Sequence, residues 1–182
     1  MKKKPMYRWK FLKEGMKSNS GNVQWKKRVW KHFNGTLEMC EAGFHCSKTI
    51  YQAFSYVQGE ILAQVEVKGK SIVRNDKEVW ESMRVVKTWK WQKKDSVAFA
   101  IYSANLVIGI YEKQYPNDNR PRKAIEAAKK WLKNPTEENR SAAESVAESA
   151  VWAAESAAWS ANSIIAKITQ WMKKHLVKLE EL

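Results

Sequence analysis

Residues 83–101 read MRVVKTWKWQKKDSVAFAI, and the spacing of their apolar residues changes part of the way along. Val85, Trp89 and Trp91 are separated by even numbers of positions, so an extended strand places all three on one face. We expect that face to lie in the core and the intervening lysines to lie in water. Further on, the apolar residues recur at helical spacing instead. This change predicts an α+β protein in which a sheet is followed by helices.

The predicted division of the chain lies at Lys94–Asp95. We expect residues 1–94 to form a basic α+β domain with a small, mostly antiparallel sheet and one helix, and residues 95–182 to form a helical region. That single helix is predicted over Ser47–Val57, with Ser47 as its N-terminal cap. Glycine and asparagine supply turns between the strands. The best strand candidates are Tyr7–Glu14, Val23–Trp30, Ile61–Val67, Ser71–Arg74 and Met83–Trp91.

Three helices are predicted after the division. Asp95 can cap a largely apolar helix over residues 96–115, which the following proline ends. Pro121 suits the first turn of a short helix over residues 122–133. A long helix over residues 137–179 is then expected to contain the alanine- and serine-rich stretch.

That stretch, residues 141–166, reads SAAESVAESAVWAAESAAWSANSIIA and contains no lysine or arginine. Ser145 and Ser149 recur eleven residues later as Ser156 and Ser160, and eleven residues make three helical turns. Its stripe of small residues lets another helix approach closely, from this chain or from a second copy. A homo-oligomer through this helix is therefore one expectation.

Positive charge is concentrated in three parts of the chain, whose formal net charge is +14. Residues 1–34 hold eleven lysines and arginines against Glu14 alone, residues 70–94 hold eight against three acids, and residues 120–140 hold seven against three. Such clustering is typical of proteins that bind nucleic acid, whereas a solvated lysine surface is the simpler alternative. The positive charge excludes mimicry of DNA by an acidic surface.

Several of the ten tryptophans alternate with lysine or arginine. A flat indole can stack on a base while the neighbouring cation meets a phosphate. The alternative is that strand alternation places the indole in the core. Trp9, Trp25 and Trp30 have the densest flanking charge and are favoured as contact residues. The residues predicted to contact nucleic acid or a protein effector are Arg8, Trp9, Lys10, Trp25, Lys26, Lys27, Arg28, Trp30, Lys31, Lys90, Lys93, Lys94, Arg120, Arg122 and Lys123.

Cys40, His45 and Cys46 form the one compact set of side chains suited to metal binding or nucleophilic chemistry. Their spacing matches no standard zinc pattern, and a fourth ligand is missing. Adjacent residues of a strand point to opposite faces, so His45 and Cys46 fit a nucleophilic pair poorly. We expect free thiols, a structural turn at Gly43-Phe44-His45, and no metal, cofactor or catalytic residue.

One enzymatic alternative stays open. A strand ending in Gly-Phe-His-Cys-Ser, followed by a helix that contains Ala53 and Tyr56, loosely resembles the nucleotide-pocket half of ADP-ribosyltransferases. In that family an arginine or histidine, a serine or tyrosine, and a glutamate share the catalytic work. The resemblance implies His45, Tyr56 and Glu81 as the corresponding residues here.

A broader resemblance spans nearly the whole chain. It is carried by LEMCEAGFHCSKTIYQAF (37–54), VEVKG (65–69) and RKAIEAAKKWLKNPTEENR (122–140) leading into the SAAES repeats. These segments resemble small proteins of phages and mobile elements, among them anti-CRISPR proteins that inhibit type II (II-A) effector nucleases. The resemblance implies a stoichiometric inhibitor that binds the effector, its guide RNA or its DNA in the cytoplasm of a host bacterium, preventing target recognition or cleavage. It supplies no catalytic residues.

The main alternative is a general nucleic-acid-binding accessory protein, because composition alone does not separate the two functions. We find no run of about 18 uninterrupted apolar residues. We therefore expect a soluble, intracellular protein with no membrane partner.

Overall fold

The computed structural model describes residues 4–21, 23–136 and 162–182. In these ranges the strands are β1 (Met6–Leu12), β2 (Lys31–His32), β3 (Phe44–Cys46), β4 (Ile61–Val73) and β5 (Glu78–Lys90). The helices are α1 (Ile50–Tyr56), α2 (Lys93–Gln114), α3 (Arg120–Lys133) and α4 (Asn162–Leu176), and a short 3-10 helix covers Glu14–Met16. A sheet with one helix thus precedes a helical part, which confirms the predicted α+β class.

The long antiparallel hairpin of β4 and β5 is the centre of the sheet. The strand order is β1-β4-β5-β2, β3 also pairs with β5, and each of these pairings is antiparallel. One of the hairpin's register shifts lies between Lys68 and Ser71, where Gly69 adopts a φ of 87° that favours glycine. The predicted strands Ile61–Val67 and Ser71–Arg74 are therefore one irregular strand.

A backbone bridge between Trp9 and Ser47 connects β1 to the end of β3. Their backbone N–H groups each donate to the other's carbonyl oxygen at 2.9 Å. Because Ser47 directly follows β3, which pairs with β5, this bridge links β3 to β1 as well. Ser47 is buried in this pairing, so its predicted role as the cap of α1 is wrong. Thr49 is the cap, and its hydroxyl accepts the backbone N–H of Gln52 at 3.2 Å.

The three residues predicted to share one apolar face, Val85, Trp89 and Trp91, are all buried, but Val85 and Trp89 lie on opposite faces of β5. A register shift pairs Val85 with Val65 and Trp89 with Leu62, so one extra residue of β5 reverses the alternation between them. The ring of Phe11 packs edge-on against Trp91 at 5.3 Å and against Phe54 of α1 at 5.7 Å. This aromatic cluster attaches the helix to the sheet.

Residues 23–30 are not the predicted strand. Lys27 forms a single parallel bridge with Val85, and the next residue, Arg28, has a φ of 63°. A left-handed backbone interrupts an extended strand, so the segment passes the sheet as a loop. Trp25 enters the core from this loop and is 1% exposed.

The chain forms two compact units, residues 1–91 with 172–182 and residues 92–171. In the second unit, the helix predicted to begin at 96 begins at Lys93. Asp95 is buried within its first turn and accepts the backbone N–H of Gln92 at 2.7 Å. The predicted cap at Asp95 is therefore wrong, because Gln92 occupies that position.

The second unit also contains α3, and Pro121 lies in its first turn as predicted. Ala128 and Trp131 of α3 form a buried apolar cluster with Val97 of α2. The ring of Tyr102 stacks on Trp171 at 5.2 Å. No helix in the described ranges is sufficiently long and apolar to span a membrane.

The long helix predicted over residues 137–179 is described only in part. Residues 137–161, with most of the alanine-rich stretch and its expected role in self-association, lie outside the described residues. The helix α4 ends at Leu176, three residues before the predicted end. Beyond it, the backbone carbonyl of Glu180 accepts the backbone N–H of Lys90 at 2.9 Å, and the backbone N–H of Leu182 donates to the backbone carbonyl of Thr88 at 2.9 Å. The chain's last residues thus pair with β5.

Candidate nucleic-acid interface

Three consecutive cations occupy the loop that passes β5. Lys26, Lys27 and Arg28 are all exposed. The backbone N–H of Arg28 donates to the carbonyl oxygen of Val85 at 2.8 Å, and Lys27 bridges to the same residue. The backbone of the loop is therefore fixed to the sheet while the charged side chains reach solvent.

Two further exposed cations, Lys87 and Lys90, follow Val85 along β5. We refer to these exposed cations of the loop and the strand together as the basic edge. It consists of Lys26, Lys27, Arg28, Lys87 and Lys90. All but Lys87 were predicted as contact residues from the sequence.

An acidic segment lies on part of the basic edge. A side-chain oxygen of Glu180 lies 3.8 Å from the Lys90 ammonium, and one of Glu181 lies 3.4 Å from the Lys87 ammonium. Both ion pairs are about half exposed, so each is weak. The Lys27 ammonium contacts the carbonyl oxygen of Leu182. These contacts leave Lys26 and Arg28 as the least compensated cations.

Trp30 lies under two cations of the sheet. The Lys68 ammonium is 4.1 Å from the centre of its ring, and the Arg84 guanidinium carbon is 4.9 Å away. Arg84 is held in turn by Glu66, whose carboxylate accepts two of its N–H groups at 2.6 and 2.8 Å. The indole is half-buried, and its cation–π contacts are made within the chain.

Arg8 and Trp25 do not belong to the exposed surface, contrary to the prediction. Arg8 donates from Nε to Glu78 at 2.6 Å, and that carboxylate is fully buried. Trp25 is in the core, and its ring N–H donates to the hydroxyl of Ser18 at 2.8 Å. Burial and a satisfied polar atom leave its indole no face for a base.

Lys10 and Trp9 are also turned inward. The Lys10 ammonium donates to the backbone carbonyl of His45 at 3.1 Å, and burial lowers its pKa. Trp9 is half-buried, with its ring centre 5.8 Å from that of Trp89. Lys31, in the short strand β2, is half-buried as well.

The remaining predicted contact residues belong to the second unit. Arg120 pairs with Asp118 at 2.6 Å, and Arg122 pairs with Glu112 at 2.5 Å, so both guanidinium groups have an acidic partner. Lys93, Lys94 and Lys123 are exposed.

A second candidate site is a cavity of about 640 Å³ in the first unit. It is bordered by β1, the loop after the 3-10 helix, the segment leading through β3, and the end of α1. Its polar side chains include Lys10, His45, Tyr56 and Lys77. The aromatic residues on its wall are Trp9, Phe11, Phe33, Phe44 and Tyr56.

His45 lines this cavity as a neutral imidazole. Burial and the positive charge of Lys10 lower its pKa. Its Nε2 accepts the backbone N–H of Cys40 at 2.9 Å, which places the ring proton on Nδ1. The imidazole is thus held by the turn that precedes β3.

Gly43-Phe44-His45 is not a turn, because Phe44 and His45 pair with β5 as part of β3. Gly43 has a φ of 111°, and an added Cβ would lie 2.6 Å from a methyl group of Val79. The next residue, Cys46, is 5% exposed, and burial together with the nearby Glu78 raises its pKa to about 12. Its thiol is therefore protonated and a poor nucleophile at neutral pH.

The ADP-ribosyltransferase-like set is brought together only in part. His45 and Tyr56 line the same cavity, but Glu81 is not among the lining residues. Its carboxylate instead accepts the backbone N–H of Lys70 at 3.2 Å, beside the bulge of β4. Among the residues that the structure describes, no three His, Cys, Asp or Glu side chains are grouped so that they could hold a metal ion.

Neither Glu78 nor Lys77 was among the predicted site residues. Glu78 is the fully buried partner of Arg8, and Lys77 lines the cavity beside Tyr56. One available signal was that Arg8 and Lys10 share a face of β1 with two-residue spacing, which placed two cations on one side of a partly buried strand.

Two family models match the chain. Residues 6–94 match a model described as "Domain of unknown function (DUF7666)", and residues 91–174 match one described as "Family of unknown function (DUF6931)". The two matches meet at residues 91–94, where the first stretch of the sheet unit gives way to α2. No curated protein and no solved structure matches the chain.

Proposed function

We propose that the protein binds the phosphate backbone of a nucleic acid through the basic edge, and that it acts by occupancy without a catalytic step. The observation that supports this best is the exposed run Lys26-Lys27-Arg28, whose backbone is fixed to Val85 of β5. Because the loop backbone is already fixed, binding to a row of phosphates orders only the side chains of these cations and not the backbone.

The composition of the chain supports the same function. A formal net charge of +14 attracts polyanions over distances of a Debye length and accelerates their association. In the first unit Arg8 and Lys10 are turned inward, whereas Lys26 and Arg28 are exposed. No carboxylate of the described residues forms an ion pair with either of these two exposed cations. The surface therefore offers charge to a partner that brings its own negative groups.

The narrower proposal is that this nucleic acid belongs to a type II RNA-guided nuclease, and that the protein is an anti-CRISPR inhibitor of that nuclease. This part rests on the resemblance of residues 37–54, 65–69 and 122–140 to anti-CRISPR proteins. A cationic inhibitor cannot imitate DNA in the basic channel of the effector. It would instead bind the guide RNA or the target DNA beside the effector, and so prevent recognition or cleavage of the target.

The test has two stages, beginning with binding. Nucleic-acid affinity is measured from about 50 to 200 mM salt for the wild type and for a K26Q/K27Q/R28Q variant. Loss of three phosphate contacts is expected to make the slope of log affinity against log salt shallower by about 2 to 3. K129Q/K130Q/K133Q removes three exposed lysines from α3 that are not among the predicted contact residues, and it is the matched control. Equal losses in both variants would overturn the role of the basic edge.

In the second stage a guide-loaded type II nuclease is titrated with the protein, and a restriction enzyme cuts the same DNA as a control. Selective inhibition that saturates near a fixed molar ratio is the expected result. Equal protection from both nucleases would identify a general nucleic-acid-binding accessory protein instead. Inhibition of neither would contradict the anti-CRISPR proposal.

A further inference from the structure

Lys10 presents a buried ammonium group with unused hydrogen-bonding capacity. Of its three N–H donors, one meets the carbonyl oxygen of His45 at 3.1 Å, and the ring of Trp25 lies 5.9 Å away. No carboxylate of the described residues lies within ion-pair distance of it. Glu78, a buried carboxylate of the same unit, is paired with Arg8. A desolvated cation of this kind is unfavourable unless an anion meets it.

The cavity that Lys10 lines is where such an anion would lie. A second ammonium, that of Lys77, borders the same space and is held 3.0 Å from the sulfur of Cys40 and 4.7 Å from the ring centre of Tyr56. Glu41 is the only carboxylate among the lining residues, and it is exposed to solvent. With His45 neutral, the lining carries a net positive charge.

The rest of the wall is aromatic. Five of the lining residues are aromatic; Phe11 is packed in the core, and the partly exposed rings of the other four, Trp9, Phe33, Phe44 and Tyr56, border the space that a flat ligand would fill. A volume of about 640 Å³ falls within the usual range of about 300–1,000 Å³ for small-molecule sites. Inorganic phosphate alone would leave most of this space and the aromatic wall unused.

We infer that this cavity binds a nucleoside phosphate, with the phosphate at Lys10 and the base against the aromatic wall. A bound phosphate supplies the charge that the buried ammonium lacks, and it opposes the desolvation that lowers the pKa of Lys10. The hydroxyl of Tyr56 is committed to Asp76, so the phenol ring, and not its O–H, is offered to the ligand. This site is separate in its residues from the basic edge and does not depend on the proposed function.

The test is calorimetric titration of the full chain with ADP at physiological salt, with adenosine and pyrophosphate as separate probes. ADP is expected to bind saturably, and more tightly than either fragment. K10M removes the charge while keeping an unbranched apolar stem, and it should raise the Kd for ADP at least tenfold. K48M removes an exposed lysine that does not line the cavity, and it should leave the Kd within about twofold.

Several results would overturn the inference. They are a failure of ADP to saturate at millimolar concentration, pyrophosphate binding as tight as that of ADP, or equal effects of K10M and K48M. If K10M does not fold, K77M and the shift of the His45 ring signals on addition of ADP test the same site. A 5′-phosphorylated oligonucleotide could also displace ADP. If it does so equally well from the wild type and from the K26Q/K27Q/R28Q variant, the occupant is the end of a strand and not a free nucleotide. The K26Q/K27Q/R28Q variant should bind ADP normally, so failure of the nucleic-acid proposal and failure of this one are distinguishable.

Discussion

The Nε of Arg8 lies 2.6 Å from Oε2 of Glu78, whose side chain is 0% exposed. The ring N–H of Trp80 donates to the same oxygen at 2.7 Å. No donor of the described residues reaches the other oxygen of this carboxylate. Among the described residues, the one cation paired with this buried carboxylate is Arg8, which comes from another strand, β1.

Replacing Arg8 with Met should destabilise the protein strongly. Removal of one partner of a buried pair leaves an uncompensated charge and typically costs about 3–5 kcal/mol. Urea unfolding followed by far-UV circular dichroism measures the change in the free energy of unfolding. R28M removes an exposed arginine from the basic edge and should cost less than about 1 kcal/mol.

A second substitution separates charge from packing in the same pair. E78Q removes the charge but keeps an acceptor for Trp80, so R8M/E78Q should be more stable than R8M alone. If R8M costs no more than R28M, or if E78Q gives no recovery in the R8M background, the buried pair does not have the energetic role that its geometry indicates.

Local pattern was enough to predict the main elements of the fold. Even spacing identified the buried face of β5 at Trp89 and Trp91, and proline position identified the first turn of α3 at Pro121. Both signals act between near neighbours in the chain, where backbone geometry fixes which side chains share a face. Helical spacing likewise predicted α1, although its N-terminal cap is Thr49 and not Ser47, two residues earlier.

The burial of several predicted contact residues depends on partners that are distant in the sequence, and local sequence pattern could not reveal these partners. Arg8 and Lys10 looked like surface cations because their neighbours are charged, but Glu78 and His45, 70 and 35 residues away, draw them inward. Trp25 likewise looked exposed among lysines. The left-handed backbone of Arg28, which ends any extended strand there, is not visible in residue type.

The two cysteines should differ sharply in reactivity. Cys40 is exposed, whereas the buried thiol of Cys46 has a pKa of about 12 and is protonated at pH 8. A thiol-reactive disulfide reagent at pH 8 should therefore modify one thiol per native chain and both thiols after denaturation. C40S should abolish the fast reaction, and C46S should leave it unchanged. Fast labelling of the C40S protein would contradict the burial of Cys46.

Tyr56 should ionise at unusually high pH. Burial and its hydrogen bond to Asp76 raise its pKa to about 12. Since this value exceeds the ordinary 10.0, the folded state holds the proton more tightly, and the resulting stability is present below pH 10 and lost as the pH rises through 12. Tyrosine-selective ¹³C NMR measures the titration, with Y56F assigning the signal.

D76N should move the pKa of Tyr56 back toward 10, because it removes the carboxylate that favours the protonated phenol. D118N is the matched control, since Asp118 raises the pKa of Tyr111 in the same way. It should lower the pKa of Tyr111 and leave Tyr56 unchanged. A pKa of Tyr56 that is insensitive to D76N would show that the contact with Asp76 does not persist in solution.

The acidic segment on the basic edge should compete with nucleic acid. Glu180 and Glu181 lie beside Lys90 and Lys87, so a polyanion that reaches these lysines must displace or outcompete both carboxylates. Exposed pairs of this kind are worth about 0.2–1 kcal/mol each. E180Q/E181Q should therefore tighten nucleic-acid binding by about two- to thirtyfold at low salt, and the difference should shrink as salt is added.

The control for this prediction must add the same charge elsewhere in the first unit. E38Q/E41Q does so at two exposed glutamates of the turn before β3. If the effect is local, E180Q/E181Q tightens binding more than E38Q/E41Q does, and K87Q/K90Q removes the difference because the lysines that the acids cover are then neutral. Equal tightening by both pairs would mean that only the total charge of the chain matters, and that the segment does not compete for the basic edge.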